Sequence, residues 1–254
     1  MTPTEQAIIR KVWTAATHQS VKGIYNTTFF TNDKIHRGSP LNDEDLPAIE
    51  YDDGKKVWYR NGKIHRGKDL PAVEHGDGEK GWWVNGKKHR NKGLPAIIDD
   101  NRQEWWVNGK KHRKDGPAFQ RVTGIYTHEE WWLKDKKHRE NGPAVTVWCR
   151  FDSGITRIIR EEWWHHGNLH RNEVDNKGES LPAIIAEDDM QWYRHGELHR
   201  LDGYARLKNG DKEWWVNGRR HRDENRPAVI PFNGRKQWWV NGEVVNEKEG
   251  YLQE

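Results

Sequence analysis

Histidine and arginine stand out in this 254-residue chain as residues that could do chemistry, because they recur as an adjacent pair. A row of imidazoles can bind a metal ion, and a row of guanidinium groups can bind phosphates. The intervals of 22 to 32 residues, however, are typical of structural repeats and lack the clustering of a metal site. The pairs occupy positions 36-37, 65-66, 89-90, 112-113, 138-139, 170-171, 199-200 and 221-222.

We interpret the His-Arg pairs as packing elements, because a residue required in every copy usually serves contacts between copies. His112 is expected to hydrogen-bond a backbone group across a turn, and Arg113 to stack on a Trp ring. The same argument applies to every other pair.

A denser histidine group also fits this interpretation. His166 and His195 occupy a turn position that Asn holds in other copies, and His170 and His199 belong to His-Arg pairs, so only His165 is left over. We therefore expect no metal site and no cofactor.

Catalytic motifs are not evident in the sequence. It contains no Gly-x-Ser-x-Gly element, no phosphate-binding glycine loop and no constellation of carboxylates. The single cysteine, Cys149, is near Arg150, but no particular histidine is paired with it in sequence. We expect a protein that binds and does not catalyse.

Tryptophan is the main source of apolar surface, with 16 residues against only 5 Phe and 2 Met. Fourteen of the 16 lie in aromatic pairs such as Trp105-Trp106. Adjacent strand residues point to opposite faces, so one ring of each pair should be buried and its neighbour should lie on the other face. For the outer ring, two alternatives stay open: packing, or a contact surface with Lys between the rings.

The elements that position these residues are hairpins. In WWVNGKKHRKDGPA (residues 105 to 118), Asn108-Gly109 supplies the two positive φ angles of a type I′ turn. Pro117-Ala118 then begins the next strand. Lys134-Asp135 is the poorest match to this turn. We expect two strands per repeat in an all-β, elongated, single-layer antiparallel β-hairpin array.

The array is expected to cover residues 23 to 246 with eight to nine repeats. Thr2-Pro3-Thr4-Glu5 resembles a helix start, and Ile8, Val12 and Ala16 give one apolar face. We expect a helix over residues 3 to 18 in a capping segment, 1 to 22, with partner or membrane-surface binding as the alternative. Residues 247 to 254 are expected to form a polar tail.

The phrase WWVNGKKHR (residues 105 to 113) is similar to the MORN repeat, in which aromatic strands and Asn-Gly-Lys turns form successive hairpins. Arg replaces the Gly that follows His in MORN repeats, and Gly-Pro-Ala follows a spacer. This variant resembles the HR-x-x-GPA repeat proteins of bacteriophages, large DNA viruses and some bacteria. The resemblance covers about residues 25 to 245. It implies a MORN-like solenoid with a scaffold, dimerisation or binding role, and no reaction.

The charge and hydropathy of the chain restrict its class. A formal net charge of +4 and a pI of about 9.0 are mildly basic, which is compatible with an anionic ligand only if the charge is concentrated locally. No apolar run approaches the roughly 20 residues of a transmembrane helix. One cysteine and no secretory-signal pattern indicate a cytoplasmic protein, in the host cytoplasm if a phage or virus encodes it.

Departures from the repeat carry the functional expectation, because insertions in repeat arrays tend to cluster on the binding face. Three segments are enlarged: 38 to 46, 145 to 160 and 172 to 181. The middle one is expected to be a long hairpin around Asp152-Ser153-Gly154, a basic and aromatic finger. The candidate binding residues are Trp148, Arg150, Arg157 and Arg160 of the finger, joined by Arg121, Tyr126 and His128.

We therefore expect a repeat scaffold that binds another macromolecule, with a protein as the expected partner. The family resemblance extends this to a phage or viral inhibitor of a host defence protein. The alternatives are an anion-binding protein that captures nucleic acid or a signalling nucleotide through the finger, and a binder of membrane headgroups. Pairing of two copies through edge strands is also left open.

Overall fold

The computed structural model describes residues 45–245 in full, together with the backbone of four strands between residues 17 and 35. Every regular element in this part of the chain is a β-strand. The helix predicted for residues 3 to 18 lies outside the described residues, except that Thr17 and His18 belong to a strand. The predicted polar tail also lies outside them.

The chain divides into two compact units, residues 1–113 and 114–254. The strands of the first unit are β1 (Thr17–Val21), β2 (Ile24–Thr28), β3 (Phe30–Thr31), β4 (Lys34–Ile35), β5 (Ile49–Tyr51), β6 (Lys56–Val57), β7 (Tyr59–Arg60), β8 (Lys63–Ile64), β9 (Val73–Glu74), β10 (Lys80–Gly81), β11 (Trp83–Val84), β12 (Lys87–Lys88), β13 (Ile97–Ile98), β14 (Arg102–Glu104), β15 (Trp106–Val107) and β16 (Lys110–Lys111).

The second unit continues the same pattern. Its strands are β17 (Phe119–Thr123), β18 (Tyr126–Glu130), β19 (Trp132–Leu133), β20 (Lys136–Lys137), β21 (Val145–Arg150), β22 (Thr156–Glu162), β23 (Trp164–His165), β24 (Asn168–Leu169), β25 (Ile184–Ala186), β26 (Asp189–Gln191), β27 (Tyr193–Arg194), β28 (Glu197–Leu198), β29 (Arg206–Lys208), β30 (Asp211–Glu213), β31 (Trp215–Val216), β32 (Arg219–Arg220), β33 (Val229–Ile230), β34 (Trp238–Val240) and β35 (Glu243–Val245).

Each unit contains a long sheet built as an antiparallel meander, in which strands pair in chain order. In the first unit its strands are β1, β2, β5, β6, β9, β10, β13 and β14. In the second unit they are β17, β18, β21, β22, β25, β26, β29, β30 and β33. The prediction of an all-β hairpin repeat is confirmed at this level.

The remaining strands form two-stranded hairpins that are separate from the long sheets. A repeat therefore holds four short strands, two in the long sheet and two in a short hairpin, where the sequence analysis expects two. The first Trp of each pair lies at the junction: the Trp58 N–H donates to the Ala72 carbonyl, while its own carbonyl accepts the His65 N–H. Because its N–H and carbonyl groups bond to two different segments, the β-ladder is interrupted at this residue.

The short hairpins turn as the sequence predicts. Asn108 and Gly109 have φ angles of 52° and 79°, and the other described Asn-Gly and His-Gly turns of the short hairpins are similar. Lys134 and Asp135, the poorest match by residue type, nevertheless adopt 52° and 65°. The pairing of the flanking strands imposes the turn even where the side chains disfavour it.

The core is a narrow seam where the long sheet meets the short hairpins. In the first unit Ile49, Val57 and Val73 lie on one face of the long sheet and pack against Tyr59 and Ile64 of a short hairpin. The alanine of every described Pro-Ala or Tyr-Ala segment is wholly buried, and most of them bond through both the N–H and the carbonyl to neighbouring segments: Ala48, Ala72, Ala96, Ala118, Ala144, Ala183, Ala205 and Ala228.

The His-Arg pairs lie at the joints between repeats. The Arg guanidinium carbon is 3.7 to 4.3 Å from the ring centroid of the first Trp of its own repeat, as in Arg113 over Trp105. The Arg also donates to the carbonyl that precedes the buried alanine, as Arg66 does to Pro71. Cation–π and hydrogen-bond contacts thus hold each loop against its hairpin.

The histidines connect successive short hairpins. Nδ1 of His65 accepts the backbone N–H of Asn85 in the next turn at 3.1 Å, and the Gly86 N–H donates to the Ile64 carbonyl. Five further histidines make the same contact to the following turn, at 3.0 to 3.3 Å. The two contacts satisfy turn N–H groups that a free-standing hairpin would leave to water.

Candidate binding surface

The sheet of the second unit is widest at two neighbouring long hairpins. Strands β17, β18, β21 and β22 are five to seven residues long, whereas the other long-sheet strands of this unit have two or three. β18 pairs directly with β21, so the finger predicted for residues 145 to 160 is the second of two adjoining hairpins. We call the outer parts of these hairpins, residues 121–128 and 147–160, the paired tips.

The register divides the seven predicted binding residues between two faces. Arg121 lies opposite His128, Tyr126 opposite Cys149, and Cys149 opposite Arg157. Arg121, Tyr126, His128, Arg157 and Arg160 therefore share one face, which continues the core face of the sheet.

Trp148 and Arg150 occupy the opposite face of the same hairpins. Trp148 is aligned with Thr127 and Ile158, and Arg150 with Thr156. The finger therefore does not bring Trp148 and Arg150 together with Arg157 and Arg160, as the sequence analysis had grouped them.

A β-bulge explains why Arg157 and Arg160 are on the same face. Alternation alone would place residues three apart on opposite faces. The register shifts between Val147 and Trp148, so that Arg160 pairs with Val147 while Ile158 pairs with Trp148. One extra residue in β22 turns Arg160 to the side of Arg157.

Two arginines of the tips are already paired with carboxylates. Arg157 lies 3.2 Å from Glu187, and both side chains are largely exposed. Arg160 lies 2.7 Å from Glu162, whose side chain is mostly buried. Arg121 and Arg150 are exposed and form no ion pair with any residue in the described part of the chain.

Apolar side chains are concentrated at the ends of the paired tips. Ile125 lies in the first turn and Tyr126, Phe151 and Ile155 lie next to the two turns, and all four are 45% to 65% exposed. The tips are joined, because the Arg150 N–H donates to the Ile125 carbonyl at 2.8 Å. Ile125, Tyr126 and Phe151 line one shallow depression together with Arg157.

This apolar group was not predicted from the sequence, although a signal was present. Phe151 and Ile155 immediately surround Asp152-Ser153-Gly154, a turn where polar neighbours are usual. Two large apolar residues beside a solvent-facing turn are themselves evidence of a contact surface.

The base of the first tip hairpin contains a strongly perturbed carboxylate. Burial alone would raise the pKa of Glu130, but interactions with His128, Lys137 and Trp132 lower that pKa to about 2. Nε1 of Trp132 donates to Glu130 at 2.8 Å, and Nζ of Lys137 lies 3.1 Å away. Glu130 is therefore an anion that secures the second Trp of its repeat.

The second Trp of the pair alternates with cationic side chains. Lys88 lies over both Trp83 and Trp106, and Lys137 lies over both Trp132 and Trp164. These rings are half-buried. The outer rings therefore pack against cations that lie between them, and a contact role for these half-buried rings stays a prediction.

The position of Cys149 in the fold does not suit a nucleophile. Its side chain is 5% exposed, and Sγ is 3.7 Å from the Arg157 carbonyl oxygen, to which the thiol donates. A buried thiol in this setting is a packing residue.

The described residues include one group that could hold a metal ion: His138, Glu140, His165 and His166, each with a ligand atom within 4.8 Å of the others. It lies on the short-hairpin side of the second unit. From the sequence, His165 and His166 were grouped together, His138 was considered only as part of a His-Arg pair, and Glu140 was not considered.

The geometry defines a β-hairpin repeat protein with one enlarged pair of hairpins. The chain matches no protein-family model, and no curated protein is similar enough to count as a relative. Among the described residues, no helix has the length and apolar character to cross a membrane.

Proposed function

We propose that the protein is a non-enzymatic repeat scaffold that binds a partner protein through the paired tips. The observation that carries the proposal is the exposed apolar group Ile125, Tyr126, Phe151 and Ile155 at the ends of the longest hairpins. A regular repeat leaves its charged residues in solvent and buries its rings, so large exposed apolar side chains on an enlarged segment indicate a contact surface.

The charge of the tips defines the kind of partner. Residues 121–128 and 147–160 contain four Arg and one Asp, a net charge of +3 with histidine neutral. The acidic residues Glu129, Glu130, Glu161 and Glu162 lie at the bases of the hairpins. An acidic surface with an apolar anchor would complement this arrangement, the anchor contacting the apolar group and the carboxylates contacting Arg121, which is exposed on the same face as Tyr126.

A protein partner is favoured over an anionic ligand by the placement of the arginines. Arg157 and Arg160 are engaged by Glu187 and Glu162, and they lie on the face opposite Trp148 and Arg150. A phosphate clamp needs several free cations converging on one point. An acidic protein partner agrees with the inhibitor role that the repeat resemblance suggests for phage and viral proteins.

The test compares capture of binding proteins from a cell lysate by the wild-type chain and by the double variant Phe151→Ser/Ile155→Ser. Each lost apolar contact is worth on the order of 1.5 kcal/mol or more, so we expect the captured protein to bind at least tenfold more weakly. Arg121→Ala should weaken the same interaction and reduce its salt dependence.

The control is Leu201→Ser/Val244→Ser, which removes two exposed apolar side chains outside the tips. Capture should be unchanged in this control. Equal capture by the tip variant would move the site elsewhere. Binding of a labelled single-stranded oligonucleotide that weakens steeply with salt, and that needs Arg121 and Arg150, would support the nucleic-acid alternative instead.

A further inference from the structure

Three imidazoles and one carboxylate meet at the short hairpins of the second unit. The ring centroids of His138 and His166 are 4.2 Å apart and nearly parallel, at 11°. His165 lies edge-on to both, at 4.9 Å from His138 and 4.3 Å from His166. Nε2 of His138 is 3.0 Å from a carboxylate oxygen of Glu140.

Two of these imidazoles are departures from the repeat. His165 and His166 occupy the places that Val107 and Asn108 hold in the corresponding hairpin of the first unit. Asn gives the same turn, with φ of 52° at Asn108 against 49° at His166. The hairpin does not need histidine at these places, so the extra imidazoles call for another explanation.

We propose that His165, His166 and Glu140 bind a divalent transition-metal ion of the zinc class, and that His138 positions them. Two nitrogens and one carboxylate oxygen form the ligand set of many zinc sites that keep a fourth position for water. Magnesium and calcium prefer oxygen ligands alone. The ligand class is therefore zinc, cobalt, nickel or copper.

The role of His138 follows from its hydrogen bonds. Nδ1 accepts the backbone N–H of His166 at 3.3 Å, so the proton of the neutral ring is on Nε2, which donates to Glu140. Both ring nitrogens are thereby occupied. His138 is a positioning residue that orients the carboxylate by this bond and the His166 ring by stacking.

The ligand side chains have the freedom to close on an ion. Ligands at about 2.0 to 2.2 Å in a tetrahedral site are about 3.4 Å apart, so atoms within 4.8 Å of one another must approach by at most about 1.4 Å. Glu140, His165 and His166 are exposed and can rotate, whereas the supporting His138 is buried.

The chain supplies its own fold-preserving variant, because His165→Val/His166→Asn restores the sequence of the regular repeat. Wild-type protein titrated with Zn²⁺ by calorimetry should bind one ion at this site. Co²⁺ should give the visible absorption bands of a four-coordinate site. The double variant should lose both signals while keeping its urea unfolding midpoint. Glu140→Gln, which still accepts from His138, should weaken Zn²⁺ binding at least tenfold.

The matched control is His195→Asn at the same turn position of the next repeat. His195 stacks on His170 as His166 does on His138. The residue before it is Arg194, so this repeat has no imidazole in the place of His165. This variant should bind Zn²⁺ like the wild type. Absence of Zn²⁺ binding by the wild type, unchanged binding by the double variant, or equal loss in His195→Asn would each overturn the assignment.

Discussion

At the scale of single residues, one carboxylate in each of four repeats holds the second Trp of the aromatic pair in place. Glu104, Glu130, Glu162 and Glu213 each accept the indole N–H of the Trp two residues later, at 2.8 to 2.9 Å. A buried carboxylate is unfavourable unless it is paired and hydrogen-bonded. Each of the four has a neighbouring cation as well as the indole, so the charge is compensated where it is buried.

The substitution Glu130→Gln tests this compensation. Because the pKa of Glu130 is lowered from 4.5 to about 2, its anion stabilises the folded state above pH 4.5, and that stabilisation is lost as pH falls towards 2. We expect the variant to be less stable than the wild type at pH 7 and the difference to shrink at pH 3.5. Urea unfolding midpoints at the two pH values measure it.

The chain itself indicates that glutamine can fill this position. Gln237 accepts the indole N–H of Trp239 at 3.1 Å in the last repeat. The variant therefore removes the charge and keeps the hydrogen bond. Asp100→Asn, on an exposed turn, should leave the midpoint unchanged at both pH values. An equal loss for Glu130→Gln at pH 7 and pH 3.5 would assign the effect to packing.

At the scale of the element, the turn is the most informative part of each hairpin. Non-glycine residues at positive φ cost on the order of 1 kcal/mol, and Lys134-Asp135 has two of them in succession. Replacing them by Asn-Gly should raise the free energy of unfolding by about 1 kcal/mol, measured by urea denaturation. The reciprocal change, Asn108→Lys/Gly109→Asp, should lower the free energy of unfolding by a similar amount. If Asn-Gly at 134 and 135 gives no gain, the side chains of Lys134 and Asp135 offset the backbone strain.

The same elements show what a sequence can predict. The Asn-Gly dipeptides located the short hairpins, and Asp152-Ser153-Gly154 located the turn of the finger. The faces of that finger were not predictable, because they depend on the register fixed by the turn and on the bulge between Val147 and Trp148. Ile158-Ile159 contains no glycine to signal a bulge.

The presence of four strands per repeat was also not predictable from the sequence pattern. The first Trp looks like a strand residue by type, but its N–H and carbonyl bond to separate segments, as in Trp58. Likewise, the proximity of His138 to His165 depends on which hairpins are neighbours, since 27 positions separate them in the chain. Contacts of this kind are set by packing between repeats.

At the scale of the whole molecule, stability is distributed along the chain. Among the described residues, no large side chain is completely buried, and the fully buried positions are alanines spread over the repeats. Within each unit, successive short hairpins are joined by the same contacts between histidine, turn and carbonyl. Such an array is stabilised mainly by nearest-neighbour interactions.

This distribution predicts that damage to one repeat stays local. Trp192→Ala removes a ring that Arg200 covers, that contacts Tyr204 edge-on and that donates to the Ser180 carbonyl, a local loss of about 3 to 5 kcal/mol. Hydrogen exchange followed by mass spectrometry should show faster exchange over about residues 163 to 228, the flanking repeats, with unchanged protection in the first unit. Trp82→Ala should give the converse pattern. Uniform acceleration along the chain in either variant would mean that the repeats unfold as one cooperative structure and that nearest-neighbour contacts do not limit the damage.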